Sequence, residues 1–199
     1  MAVLTIPDKQ QTIGEAEKIA AYLSQIGITY EQWESSMPLA DSATPAEILA
    51  AYAPQLDALK QKGGYITADV IDITPQMANL EAMLDKFRDE HWHDEDEVRF
   101  ILSGQGVFHI HPKTGPVIAV TVEAGDLLLV PTGTHHWFDL CADRQIRAIR
   151  LFQDPAGWTP IYTQSGIEQK YKSPRTVTTP TAVGSALYRF FTYALCRFG

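Results

Sequence analysis

The chain has 199 residues, 45% hydrophobic and 20% charged, an ordinary globular composition that makes one domain with one sizeable core the default. A formal net charge of -8 excludes the clustered Lys and Arg surface that nucleic-acid phosphates require.

The first predicted element is a helix over residues 13–26. Ile13, Ala16, Ile19, Ala20, Leu23 and Ile26 form its apolar stripe, and Gly27 stops it. A second helix opens at Thr44-Pro45-Ala46-Glu47, where Thr44 caps, Pro45 suits the first turn and Glu47 completes a capping box. It runs towards Gly63-Gly64 with a kink near Pro54. Thr74-Pro75 starts a third helix, with Leu80, Met83, Leu84 and Phe87 on one side.

After Phe87 the pattern changes to short apolar runs: VRFIL (98–102), GVFHI (106–110), VIAVTV (117–122), DLLLV (126–130), HWFDL (136–140) and IRAIRLF (146–152). Gly, Pro and Asp punctuate the gaps, which predicts a mainly β sandwich or barrel. VLTI, ITYEQW and DVIDI, earlier in the chain, are candidates for strands at its edge. Residues 170–199 form a distinct tail with Lys170, Lys172, Arg175, Arg189 and Arg197 but no acid. Its apolar run, 181–196, is shorter than the ~20 residues of a membrane span, so no spanning helix and no clear membrane association are expected; a short membrane-surface helix over LYRFFTYALCRF stands as the alternative to an added extension. Cys141 and Cys196 lie far apart without CxxC spacing, and are expected as inert thiols rather than a disulfide framework. MAVLTIPDKQ does not read as a signal peptide, so the cytoplasm is the expected compartment.

All six histidines fall between residues 91 and 136. In HWHDEDEVR, positions 91, 93, 97 and 99 share parity. If the segment is extended, His91, His93, Glu97 and Arg99 point to one face. Two imidazoles and a carboxylate there would make the facial triad of non-heme Fe(II) oxygenases. His109 and His111 form a second HxH that lacks a following Glu, and are read as strand-lining. Asp94 and Glu95 are expected as solvated loop charges.

His91-x-His93-x3-Glu97-x6-Gly104 resembles the first cupin motif, and Gly125-x5-Pro131-x-Gly133-x2-His136 resembles the second. Asp85 and Leu140 stand where a glycine and an asparagine are usual. The second motif puts His136, and not His135, in the ligand position. EHWHDEDEVRF together with PTGTHHWFDL is similar, over residues 3–172, to the acireductone dioxygenase family of the methionine salvage pathway.

That resemblance implies a cupin barrel with a few N-terminal helices packed outside. The domain would span residues 1–173, with a helical part over 1–88, a metal-binding barrel over 89–160 and an extension, 174–199, outside the family fold. His91, His93, Glu97 and His136 would hold one Fe(II) or Ni(II), and Arg99 would steady the dianionic substrate. Phe87, Phe138, Arg150 and Trp158 would line the pocket, with Glu90 and Asp96 supporting the ligands. The partners would be acireductone and dioxygen, in a monomer. Fe(II) would give formate and 4-methylthio-2-oxobutanoate; Ni(II) would give formate, carbon monoxide and 3-methylthiopropionate. The residues alone leave alternatives: Arg99 and Arg150 in ion pairs, Phe138 and Trp158 as core aromatics, and another cupin dioxygenase, an isomerase or a non-catalytic sensor as the function.

Overall fold

In the computed structural model, residues 1–34, 40, 42–154 and 157–171 are described; the expected extension, 174–199, lies outside them. The chain runs β1 (Val3–Ile6), β2 (Gln11–Ile13), α1 (Ala16–Ser24), β3 (Thr29–Gln32), α2 (Pro45–Ala51), α3 (Ala53–Gly63), β4 (Thr67–Ile73) and α4 (Leu80–Arg88). Then follow β5 (His91–Trp92), β6 (Glu97–Gly104), β7 (Gly106–His111), β8 (Ile118–Val122), β9 (Asp126–Val130), β10 (His135–Leu140), β11 (Ile146–Phe152) and β12 (Ile161–Tyr162).

The strands pair antiparallel into two sheets, one ordered β12-β5-β10-β7-β8-β1-β2 and the other β3-β9-β6-β11-β4. This is the expected mainly β cupin arrangement. Alternation along the strands fills the space between the sheets with Leu4, Phe108, Ile110, Val120, Phe138 and Leu140 from one and Ile101, Leu128, Val130, Ile146 and Ala148 from the other. Each fully buried aliphatic contributes about 1.5–3 kcal/mol. The opposite face of the five-stranded sheet presents Val98, Phe100, Leu127, Ile149 and Leu151 to Ile48, Leu56 and Leu59 of α2 and α3. On β7 of the seven-stranded sheet, burial alternates between buried and half-buried, so its outer face stays partly open. No helix among the described residues is long and apolar enough to cross a membrane.

The helices depart from expectation where backbone chemistry intervenes. Ile13 belongs to β2, so the first helix starts at Ala16. The Thr44–Glu47 capping box forms in both directions: Thr44 N donates to Glu47 Oε2 at 2.7 Å and Glu47 N to Thr44 Oγ1 at 3.3 Å. Pro54 does not kink one helix but starts the next, seated in the first turn of α3, where its missing N–H costs nothing. Thr74-Pro75 starts only a turn; the helix begins at Leu80 after Asn79, whose φ is 63°. Cys141 is buried and is not a free thiol, which corrects the expectation of two inert thiols; Cys196 lies outside the described residues.

Candidate metal centre

The HWHDEDEVR segment is not one strand. β5 belongs to the seven-stranded sheet and β6 to the five-stranded one, so the chain crosses between sheets over residues 93–96. The shared parity of 91, 93, 97 and 99 therefore does not act through a continuous pleat. The donors converge because they approach the interior from facing sheets: His91 on β5, paired directly with His136 on β10, and Glu97 as the first residue of β6.

Polar contacts hold the crossover. Thr132 Oγ1 and Gly133 N donate to His93 O at 3.1 and 2.9 Å. Asp96 accepts from Tyr65 Oη at 2.9 Å and Thr132 N at 3.0 Å, and its carbonyl accepts from Trp158 Nε1 at 3.1 Å. Glu95 is buried rather than solvated, because its Oε2 accepts from Gln153 N at 2.7 Å and Asp154 N at 3.0 Å. Asp94 is exposed, as expected.

One donor atom from each of His91, His93, Glu97 and His136 lies within 4.8 Å of every other, and all four residues are buried. Each histidine turns Nδ1 to a backbone carbonyl: His91 to Asp89 O at 2.8 Å, His93 to Thr159 O at 3.0 Å and His136 to Thr134 O at 2.8 Å. A carbonyl only accepts, so Nδ1 carries the proton and the neutral ring aims the Nε2 lone pair inward. Glu97 Oε2 lies 3.0 Å from His136 Nε2 and 3.1 Å from His93 Nε2. Two lone pairs at such a distance repel unless a proton or a cation lies between them. The buried Nε2 atom of His91 has no hydrogen-bond partner, which costs about 1–3 kcal/mol without a ligand. Three imidazole nitrogens and a carboxylate fit a borderline divalent metal.

Electrostatics divides the four. Burial, aided by repulsion from His136, pushes His91 down to about 4, so it is neutral. Burial also opposes charge on His93, but the hydrogen bond and attraction of Glu97 win and raise its pKa. Burial would raise Glu97, yet Arg99 and the two histidines hold it well below the ordinary carboxylate range.

Arg99 Nε sits 2.6 Å from Glu97 Oε1, both side chains almost fully buried. Four rings surround its guanidinium carbon, with centroids at 4.8 Å (Phe138), 5.3 Å (Trp158), 5.5 Å (Phe108) and 5.9 Å (Phe87), within cation–π range. Phe138 and Trp158 are thus both packed aromatics and neighbours of the site. Phe108 was missed, although it lies directly opposite Phe138 in the β7–β10 pairing and shares its inward parity. Arg150 is paired directly with Arg99 across β11 and β6, but its guanidinium is held by Asp69 at 2.9 and 2.6 Å. It shares the Trp158 ring, 5.4 Å away.

The remaining expected residues fall around this core. His135 points away from the four donors. Glu90 is buried beside His111, with Nδ1 at 2.6 Å. His109 stacks on Trp137 at 4.9 Å with the ring planes 2° apart. Asp85 replaces the usual glycine because that position lies in α4 and not in a strand; it pairs with Arg88 at 2.8 Å. Leu140 closes β10 as a buried core residue.

A family model described as the ARD/ARD' family matches residues 6–160. The acireductone dioxygenase of Picosynechococcus sp. is 44% identical over 173 residues, covering 87% of this chain and 98% of that protein. That of Pseudomonas aeruginosa is 43% identical over 159 residues, 78% of this chain and 86% of its own. Among solved structures, acireductone dioxygenase from Bacillus anthracis with a cadmium ion in its active center matches with a TM-score of 0.76 and 38% identity, over 81% of this chain and 98% of that one. Motif, fold and likeness along most of the chain agree: it belongs to the ARD/ARD' family, that of the acireductone dioxygenases.

Proposed function

We propose that this chain cleaves acireductone, 1,2-dihydroxy-3-keto-5-methylthiopentene, with dioxygen, using one Fe(II) or Ni(II) held by His91, His93, Glu97 and His136. The observation that carries this reading is the convergence of four buried donor atoms within 4.8 Å of one another, beside a buried arginine. When bound, the ion supplies Lewis-acid chelation of a substrate dianion and open positions in its coordination sphere.

The chain's own residues prepare that chemistry. The carbonyls of Asp89, Thr134 and Thr159 fix the tautomers, so Nε2 of each histidine is the ligand atom. A ligand imidazole must be neutral, so metal binding at His93 works against the upward pull that Glu97 exerts on its pKa in the metal-free site. Arg99 keeps a rigid donor fork at the site. A guanidinium stays charged at ordinary pH, and Glu97 counters the downward pull of burial on Arg99, so its charge favours the ionised enediol. Phe87, Phe138, Trp158 and Phe108 exclude water around the guanidinium, which strengthens its electrostatic hold. Asp96 braces the crossover that carries His93 into Glu97, and Glu90 braces the start of β5 at His91. Arg150, held by Asp69, contributes positive charge at the pocket wall. We assign this activity to a cytoplasmic monomer with residues 1–173 as its single unit, and regard 174–199 as an extension.

Fe(II) is expected to yield formate and 4-methylthio-2-oxobutanoate, and Ni(II) formate, carbon monoxide and 3-methylthiopropionate. The test is an oxygen electrode. The metal-loaded protein should consume dioxygen only when acireductone is added, and His136→Ala should abolish that uptake. Turnover of acireductone without oxygen uptake would instead point to a cupin isomerase.

A further inference from the structure

A second convergence of donors lies behind the first, on the other face of the seven-stranded sheet. Alternation along β10 sends His136 inward and His135 outward, and His135 is directly opposite His111 on β7. Glu90, the residue before His91, reaches the same face. Donor atoms of Glu90, His111 and His135 lie within 4.8 Å of one another.

The carboxylate is held in place. Glu90 Oε2 accepts from Ser165 Oγ at 2.6 Å and from Thr163 Oγ1. Its Oε1 faces the histidines, 2.6 Å from His111 Nδ1 and 3.9 Å from His135 Nδ1. An ion pair with His111 alone would need only one imidazole. The second, set across the strand pair, completes two nitrogens and one oxygen. Glu90 is 1% exposed while His111 and His135 are 34% and 44% exposed, so the carboxylate forms the floor and the rim is open to water. Three protein ligands with one side left to water suit a zinc-type ion.

We propose that Glu90, His111 and His135 form a second, solvent-facing site for a zinc-type divalent cation, one that does not retain nickel when excess metal is removed. It is independent of the reading of the inner site, from which it takes no ligand.

The test uses the full-length protein loaded with nickel and freed of excess metal, then titrated with Zn(II) by calorimetry, with bound metals counted afterwards. Wild type should keep its nickel and take up one further equivalent of zinc. H111A and H135A should each weaken that uptake by at least about tenfold, since losing even an outer partner of a ligand costs about 10–100-fold. H111Q and H135Q provide the same comparison should either alanine variant misfold. No zinc uptake by wild type, or uptake unchanged when either imidazole is removed, would overturn the proposal.

Discussion

Glu97 divides its carboxylate between two tasks: Oε1 lies 2.6 Å from Arg99 Nε, while Oε2 faces the imidazoles of His93 and His136. One residue thus joins the proposed metal ligands to the proposed substrate clamp. Arg99→Ala removes a charged donor but no metal ligand. We expect the variant to retain its metal while kcat falls about 10²–10³-fold, the usual cost of losing one preorganised donor. Metal analysis with steady-state kinetics checks this; wild-type turnover in Arg99→Ala would refute the role.

His135 and His136 are neighbours with opposite orientations, and only His136 meets Glu97. His136→Ala should lose the tightly held metal on desalting, whereas His135→Ala should keep it. Equal loss in both variants would contradict the assignment of the inward ligand.

His109 gives a pH-dependent contribution to stability. Burial against Trp137 lowers its pKa from 6.5 to about 4. Between these values the unfolded chain binds a proton that the folded chain refuses, so stability falls as pH drops through that window. The loss attributable to this residue is about 2 kcal/mol, given about 1.36 kcal/mol per pKa unit and partial exposure of the ring. His109→Gln should therefore lose less stability than wild type between pH 7 and pH ~4.5, measured by urea unfolding at both. Equal losses would contradict the prediction.

Gly104 is required by geometry. Its φ is +77° and a Cβ there would lie 2.2 Å from the Gln145 carbonyl oxygen. Gly64 has a φ of +70° but faces open space. Gly104→Ala should cost more than about 2 kcal/mol and Gly64→Ala about 1 kcal/mol. Denaturant midpoints would reveal the difference, and equal shifts would show that the carbonyl simply moves aside.

Much of the barrel was legible because alternation is local. VRFIL through IRAIRLF all form strands, and VLTI, TYEQ and DVIDI join them. β5 and β12 were hidden because two residues are too short for a period to show, and their pairing depends on the crossover at 93–96. The inward donors are legible in the motif spacing but not in the parity of 91, 93, 97 and 99, because β5 and β6 are separate strands in different sheets. Phe108 and Asp69 carry no spacing signal towards the site; each enters only through cross-strand register. The buried role of Glu95 could not be read either, since its partners, Gln153 N and Asp154 N, are far along the chain. The outer cluster leaves no spacing signal because His111 and His135 meet only through the β7–β10 register.

The most direct measurement is product identification after anaerobic loading with a single metal. The protein is given acireductone and dioxygen, with formate, carbon monoxide and the methylthio acids quantified. The account predicts formate with 4-methylthio-2-oxobutanoate for iron, and formate with carbon monoxide and 3-methylthiopropionate for nickel. A protein that holds its metal at full occupancy yet forms none of these products would contradict it.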